Sequence, residues 1–267
     1  MSMQFSVLAS GSTGNSLVVK SKHKRLLIDV GLSAKKMCES LEQLGARAEE
    51  IDAVLITHEH SDHIKGLGVF ARKYGVPIYA NAATWGKLQQ MSTIGDIDER
   101  QRRVFVTGDV LEFDDVQVQT FGISHDAAEP VGFCFHHEQR KLSVVTDLGY
   151  VSERIKQTIR ESDILVMESN HDVNLLRSGH YPWNIKRRIL SDIGHLSNVD
   201  AAAAMYDVLS NRTRRLYLAH LSLQHNLQDL ARMTVSQVLE EKGIEMARGE
   251  VELMHTYHDR PTKWDAV

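Results

Sequence analysis

The chain has 267 residues, 42% of them apolar and 25% charged, with a net charge of -4; such a composition allows a large buried core and excludes a mostly disordered chain or a polycation that gathers nucleic acid by bulk charge. No segment approaches the about 18 apolar residues of a membrane span, the opening MSMQFSVLASGSTGNS lacks the pattern of a secretory leader, and Cys38 and Cys134 make neither a disulfide framework nor a C-x-x-C thiolate site. A reducing cytoplasm is the simplest location, and any nucleic-acid role needs a local patch.

In chain order, Phe5 to Leu8 and Leu17 to Val19 read as strands around the small-residue loop Ser10-Gly-Ser-Thr-Gly-Asn15. That loop is either a tight hairpin or a set of backbone N–H groups open to an anion. Leu26 to Ile28 forms a third strand, followed by Asp29-Val30-Gly31. A helical pattern over Ala34 to Leu44 stops at Gly45, which suits a left-handed cap. The strand Val54 to Ile56 then leads into Thr57-His58-Glu59-His60-Ser61-Asp62-His63. Ile64 to Tyr74 reads as one helix stopped by Gly75, and Ala82 to Met91 as another.

Residues 103 to 146 read as hairpin-like strands, with apolar runs at Val116 to Val118, Val131 to Phe135 and Leu142 to Val145. The last of these ends in Thr146-Asp147-Leu148-Gly149, an echo of Ile28-Asp29-Val30-Gly31. The echo is either chance or a pair of related strand ends facing one crevice. Beyond it come the helix Glu153 to Ile159, the strand Ile164 to Met167, the helix Val199 to Leu209, the strand Leu216 to Leu218, the helix Leu227 to Leu239 and the strand Val251 to Met254. Strands alternate with helices, which predicts an α/β fold with a mixed sheet. No linker divides the chain, so residues 1–267 are expected to form a single domain.

Four ligand-type residues fall within six positions at His58, His60, Asp62 and His63. Sharp turns after a strand can bring their nitrogens and oxygen onto one small volume. The donors suit zinc, manganese or iron, and no sulfur narrows the choice. The bland alternative is a polar loop that happens to be rich in histidine.

His58-x-His60-x-Asp62-His63 resembles the signature of the metallo-β-lactamase superfamily. Together with Leu8-Ala-Ser-Gly-Ser-Thr-Gly-Asn-Ser16, Glu168-Ser-Asn-His-Asp172 and Gly179-His-Tyr-Pro-Trp-Asn-Ile-Lys-Arg-Arg188, it is similar to the YycJ family, also called WalJ or VicX. The resemblance implies a four-layer αβ/βα sandwich of two mixed sheets flanked by helices. It further implies that His58, His60 and His125 hold one divalent cation, that Asp62, His63 and His220 hold a second, and that Asp147 bridges them. Asp62 is thereby placed among the catalytic residues too, and Asp29 and Glu168 among the supports behind the ligands. Two such cations, manganese or zinc with iron as a third option, lower the pKa of a shared water to near neutrality and supply the attacking hydroxide.

His195, in Gly194-His-Leu-Ser-Asn198, is placed by similarity to phosphodiesterases of the tRNase Z kind as the acid that protonates the leaving oxygen; capping the next helix is its structural alternative. Lys186, Arg187 and Arg188, beside Trp183, Tyr181 and His180, combine cations for phosphates with rings for bases, although charge runs are often just a solvated helix face. The leading expectation is a metal-dependent phosphodiesterase, by resemblance an exonuclease degrading DNA from the 5′ end. A thioester or lactone hydrolase of the glyoxalase II type uses much the same ligands but needs neither the acid nor the basic patch. A regulatory protein that has kept the fold without activity is the third reading, against which every ligand position is filled. β-Lactam hydrolysis fits less well, since Asp147 stands where those enzymes commonly involve a cysteine at the second metal. DNA is the expected partner; no membrane and no obligate protein partner are expected, and oligomerisation is left open.

Overall fold

The computed structural model describes residues 2–244, 249 and 251–267. The first half of the chain builds β1 (Gln4–Ala9), β2 (Ser16–Lys20), β3 (Arg25–Ile28), α1 (Ala34–Gln43), β4 (Ala53–Leu55), α2 (Ser61–Ile64), α3 (Leu67–Tyr74), β5 (Ile78–Asn81), α4 (Ala82–Leu88) and β6 (Arg102–Phe105). The second half builds β7 (Val110–Phe113), β8 (Val116–Gly122), β9 (Val131–His137), β10 (Arg140–Val145), α5 (Glu153–Ile159), β11 (Ile164–Glu168), α6 (Val173–Ser178), α7 (Trp183–Ile189), α8 (Asn198–Val208), β12 (Arg215–Ala219), α9 (Gln228–Glu241), β13 (Glu252–His255) and β14 (Asp265–Ala266). Two seven-stranded mixed sheets result, ordered β14-β1-β2-β3-β4-β5-β6 and β13-β12-β11-β10-β9-β8-β7.

The layering follows from side-chain alternation along the strands. Phe5, Leu17, Val19, Leu26, Ile28 and Leu55 of the first sheet meet Phe133, Phe135, Val144, Val166, Tyr217 and Ala219 of the second in one buried layer. Their neighbours in sequence point outward: Leu8, Val18, Leu27 and Val54 pack under the helices bearing Met37, Leu41 and Phe70. On the other side Cys134, Val145, Leu165 and Leu218 pack under those bearing Ile159, Ala201, Met205 and Val235. This is the αβ/βα sandwich that the resemblance implied.

The expected left-handed glycines are in place, with φ of +67° at Gly45 and +65° at Gly75. The helix expected over Ile64 to Tyr74 is corrected: it breaks at Lys65 and Gly66, between α2 and α3. The chain there runs hard against the loop after β3, and a Cβ on Gly66 would lie 2.2 Å from the Leu32 carbonyl oxygen. No helix among the described residues is long and apolar enough to cross a membrane.

At the end of the second sheet remote from the His-rich loop, the Asp163 carboxylate accepts hydrogen bonds from Arg140 Nη1 at 2.7 Å, the Lys141 N–H at 2.9 Å and Arg212 Nη2 at 3.1 Å. Burial alone would raise its pKa, but these donors bring it below the usual carboxylate value. Depression of an acid's pKa means stability that is present above the unfolded-state value and lost as pH falls through the folded one. Asp163→Asn is expected to cost about 1.5–3 kcal/mol at pH 7, a gap that closes as pH drops from about 4 downward. Urea melts of both proteins across that range check it, and a constant gap would contradict it.

Candidate metal centre

Every candidate ligand beyond the His-rich loop sits just past the carboxyl end of a strand, the usual place for sites in α/β folds. Asp29 follows β3 directly, the His58 loop follows β4, His125 follows β8, Asp147 follows β10, and His220 follows β12. β8 and β10 both run antiparallel to β9, and β10, β11 and β12 are mutually parallel, so the second sheet delivers its ligands to one edge. Asp29, Asp147 and His220 have φ of +57°, +62° and +55°. Such left-handed backbone in non-glycine residues is typical of sites that must turn a side chain sharply off a strand. The echo between Ile28-Asp29-Val30-Gly31 and Thr146-Asp147-Leu148-Gly149 is thus a shared backbone device at two strand ends.

The side chains meet in two groups: His58, His60 and His125 in one, and Asp62, His63, Asp147 and His220 in the other, each with donor atoms within 4.8 Å of one another. His60 Nδ1 lies 3.2 Å from His125 Nε2. His63 Nε2 lies 3.7 Å from Asp62 Oδ2 and 3.2 Å from Asp147 Oδ2, and His220 Nε2 lies 3.6 Å from Asp62 Oδ2. Asp147 Oδ1 reaches both groups, 3.4 Å from His220 Nε2 and 3.9 Å from His125 Nε2. It stands where one carboxylate could serve two cations.

The imidazoles of His58, His63, His125 and His220 are oriented from behind, which fixes the nitrogen each presents. His63 Nδ1 is 2.7 Å from Asp29 Oδ2, while Asp29 also accepts from the Thr57 N–H at 2.8 Å and Thr57 Oγ1 at 2.7 Å. His58 Nδ1 is 3.0 Å from Thr57 Oγ1, His125 Nδ1 is 3.2 Å from the Gly194 carbonyl, and His220 Nδ1 is 2.8 Å from Glu168 Oε1. The inward atoms His58 Nε2, His220 Nε2 and Asp147 Oδ2 are buried with no protein hydrogen-bond partner, a costly arrangement unless something else satisfies them. All-nitrogen-and-oxygen donors with orphaned atoms aimed at one volume fit a pair of divalent cations.

The electrostatics agree. Burial would lower His63, yet the carboxylates of Asp147 and Asp29 raise it well above the ordinary histidine value. Burial would likewise lower His220, but Asp147, Asp62 and Glu168 bring it up to about 10. Asp147 is pulled well below the usual carboxylate range, against its own burial, by His220 and His63. His58 and His125, without a carboxylate behind them, are pushed down mainly by burial. One half of the site therefore concentrates negative charge, while in the other the cationic forms of His58 and His125 are disfavoured.

His195 lies beside the second group, within the same 4.8 Å reach of Asp147, Glu168 and His220. Its Nδ1 is 2.8 Å from Glu168 Oε1, and Glu168 Oε2 accepts from the Leu148 and Leu196 N–H groups. Burial would raise the Glu168 pKa, but His195 and His220 hold it at about 2. The His195 ring remains partly open, at 13% exposure.

The basic segment divides. Lys186 is corrected: it is buried at 7% exposure, and its Nζ is taken by the Arg177 carbonyl at 2.7 Å and the Gly179 carbonyl at 2.6 Å. Those bonds lock the turn before α7, so this cation is not free to meet a phosphate. Arg188 pairs with both oxygens of Asp126, and Asp126 Oδ1 is 3.6 Å from His125 Nε2, which places Arg188 at the rim of the centre. Arg187, His180 and Trp183 are exposed, Trp183 at 58%, and form no hydrogen bond with a candidate ligand among the described residues.

Two supports escaped the sequence reading. Asn15 Nδ2 lies 3.1 Å from both Asp62 Oδ2 and His63 Nε2, and its backbone N–H donates to the Asp62 carbonyl at 2.7 Å. Ser10 Oγ accepts from the His220 N–H at 2.7 Å. The loop from Ser10 to Asn15 is thus a brace holding both ends of the second group, and only its small residues hinted at close packing. Gly31 completes the brace, since a Cβ there would lie 1.8 Å from the Asp62 carbonyl oxygen. Gly31→Ala is expected to cost about 1–3 kcal/mol through overpacking and to lower metal uptake. Thermal melts with metal analysis test this; wild-type values for both would contradict the brace.

Comparison with known proteins agrees with this geometry. A family model described as a beta-lactamase superfamily domain matches residues 24–221. Exodeoxyribonuclease YycJ of Bacillus anthracis is 53% identical over 263 residues, 98% of each chain. Exodeoxyribonuclease WalJ of Streptococcus pneumoniae is 47% identical over 232 residues, 87% of this chain and 86% of that one. Among solved structures, the metallo-beta-lactamase fold protein YhfI of Bacillus subtilis matches with a TM-score of 0.73 over 98% of this chain and 99% of its own, at 16% identity. Human tRNase Z, short form, matches with 0.64 over 97% and 98%, also at 16% identity; at such identities both speak for the fold alone. The chain belongs to the beta-lactamase superfamily and, within it, to the family of YycJ and WalJ.

Proposed function

We propose that this protein is a metal-dependent nuclease that degrades DNA from the 5′ end, with two divalent cations, manganese or zinc, at the paired donor groups. The observation that carries the reading is Asp147, buried within 3.9 Å of members of both sets of ligand-type side chains, with an Oδ2 that makes no aligned hydrogen bond. The near full-length similarity to two proteins named exodeoxyribonucleases supports DNA as the substrate.

His58, His60 and His125 would hold one cation, Asp62, His63 and His220 the other, and Asp147 both. Bound there, the pair supplies an activated water and neutralises charge developing on a phosphoryl group. The chain's own residues do the rest. Glu168 fixes Nδ1 of His195, which leaves Nε2 to deliver a proton to the departing sugar oxygen. A thioester's leaving group needs no such donor, so the Glu168–His195 pair favours diester cleavage. Asp29 and Asn15 keep His63 and Asp62 aimed inward. The two free cysteines, Cys38 and Cys134, suit a reducing cytoplasm.

Arg188 spends part of its guanidinium on Asp126 and keeps donors for a phosphate of the bound strand. Arg188→Ala is expected to weaken DNA binding and to flatten the plot of log affinity against log salt by about 0.7–0.9, one phosphate contact. Fluorescence anisotropy across a salt series measures it, and an unchanged slope would remove the contact. The function itself is tested with manganese-loaded protein and duplex or single-stranded DNA labelled at either end. Early release of the 5′ label as a short product is expected; an internal ladder, or thioester turnover without DNA cleavage, would overturn the reading.

A further inference from the structure

A cleft of about 660 Å³ opens directly on the metal centre at Asp62, between the loop after β1, the short helix α2 and the turn after α4. Its size is in the range of small-ligand pockets. Its lining is of two kinds. One is apolar, from Ile64, Met91 and Ile94. The other is polar, with the ammonium of Lys65 and the hydroxyls of Ser12 and Thr13, all three exposed. None of those three side chains enters a hydrogen bond or ion pair within the protein among the described residues, in contrast to Arg188 with Asp126 and Lys186 with its two carbonyls. Asp62 is the cleft's one carboxylate, and it is turned toward His63 and His220.

An apolar slot beside a lone free cation and unused hydroxyls, with a phosphodiester-cleaving centre at its inner end, is complementary to one unit of a nucleic-acid strand. The base lies against the aliphatic wall by apolar contact, which does not depend on base identity, and the adjoining phosphate meets Lys65. We infer that this cleft seats the nucleotide flanking the scissile phosphate on the Asp62 side, and that Lys65 contacts the phosphate beyond it. The inference rests on the nuclease reading above and adds to it a subsite that is separate from the Arg188 rim.

Two variants test it from opposite directions. Lys65→Glu removes the cation, and Thr93→Trp, at an exposed position lining the cleft, fills the slot without touching the core. Lys22→Glu, in the exposed turn between β2 and β3, makes the same charge change at the far end of the first sheet. Four quantities are compared: KM and kcat on a labelled DNA strand, turnover of bis(p-nitrophenyl) phosphate, and binding of the strand to chelator-treated protein. Both cleft variants are expected to raise KM on DNA at least 10-fold, to weaken strand binding similarly, and to lower the ratio of DNA to small-diester turnover at least 10-fold. Lys22→Glu is expected to change KM less than 2-fold. Cleft variants within 2-fold of wild type on DNA, or a fall shared equally by DNA and the small diester, overturn the subsite. A wild-type protein that turns over the small diester but never DNA overturns the nuclease reading and the subsite with it.

Discussion

Replacing Asp147 by asparagine is expected to lower DNA hydrolysis by at least about 10³-fold, which corresponds to about 4 kcal/mol of lost transition-state stabilisation. The expectation follows from where the carboxylate stands. It is 2% exposed, it reaches His63, His125 and His220 at 3.2 to 3.9 Å, and its Oδ2 makes no aligned hydrogen bond. Asparagine keeps the shape but removes a negative charge from the carboxylate whose Oδ1 lies 3.4 Å from His220 in one donor group and 3.9 Å from His125 in the other, in surroundings where charge is weakly screened. It also sets an amide N–H₂ against imidazole nitrogens that must themselves act as donors to a cation. Initial rates at saturating manganese, with melting temperature as a control on folding, measure the effect. A rate within 10-fold of wild type would remove Asp147 as the shared residue.

His195→Ala is expected to lower kcat on DNA by about 10² to 10⁴ while leaving metal content at the wild-type level, because among the described residues His195 makes no hydrogen bond to a candidate ligand. Among the described residues its one side-chain hydrogen bond is with Glu168 Oε1, and its ring lies 5.1 Å from those of His125 and His220. The discriminating measurement uses a diester with a p-nitrophenolate leaving group, which departs without a proton. There the same variant is expected to lose less than 10-fold. Equal losses on both substrates would make His195 a structural residue, and full activity on DNA would remove it from the mechanism. Glu168→Gln is a harsher change than it looks, since that carboxylate also orients His220 and accepts two backbone N–H groups.

The strands that were legible in the sequence are those long and apolar enough to show their burial, such as Val131 to Phe135 and Ile164 to Met167, which lie inside β9 and β11. β14, of two residues, and β6, whose Arg102, Arg103 and Val104 are only partly buried or exposed, carry no such signal. The break between α2 and α3 was hidden because its cause is tertiary, the approach of Leu32 to Gly66. The same division holds at the site. His58, His60, Asp62 and His63 announce themselves by spacing, since a single loop carries them. His125, Asp147 and His220 are separated by up to about a hundred positions and meet only because parallel strands end at one edge; their types alone are unremarkable, and the family resemblance was needed to pick them out. Lys186 was misjudged because a run of three cations does not say which face of α7 turns inward. Asn15 and Ser10 were passed over because a brace of hydrogen bonds to Asp62 and His220 leaves no mark in local spacing.

The most direct test of the whole account is the metal content of the protein itself, dialysed after loading with manganese or zinc and measured by inductively coupled plasma mass spectrometry against an accurate protein concentration. Two divalent cations per chain are predicted, one at each donor group, with Asp147 Oδ1 within 3.9 Å of a member of both. One cation or fewer per correctly folded chain would contradict it.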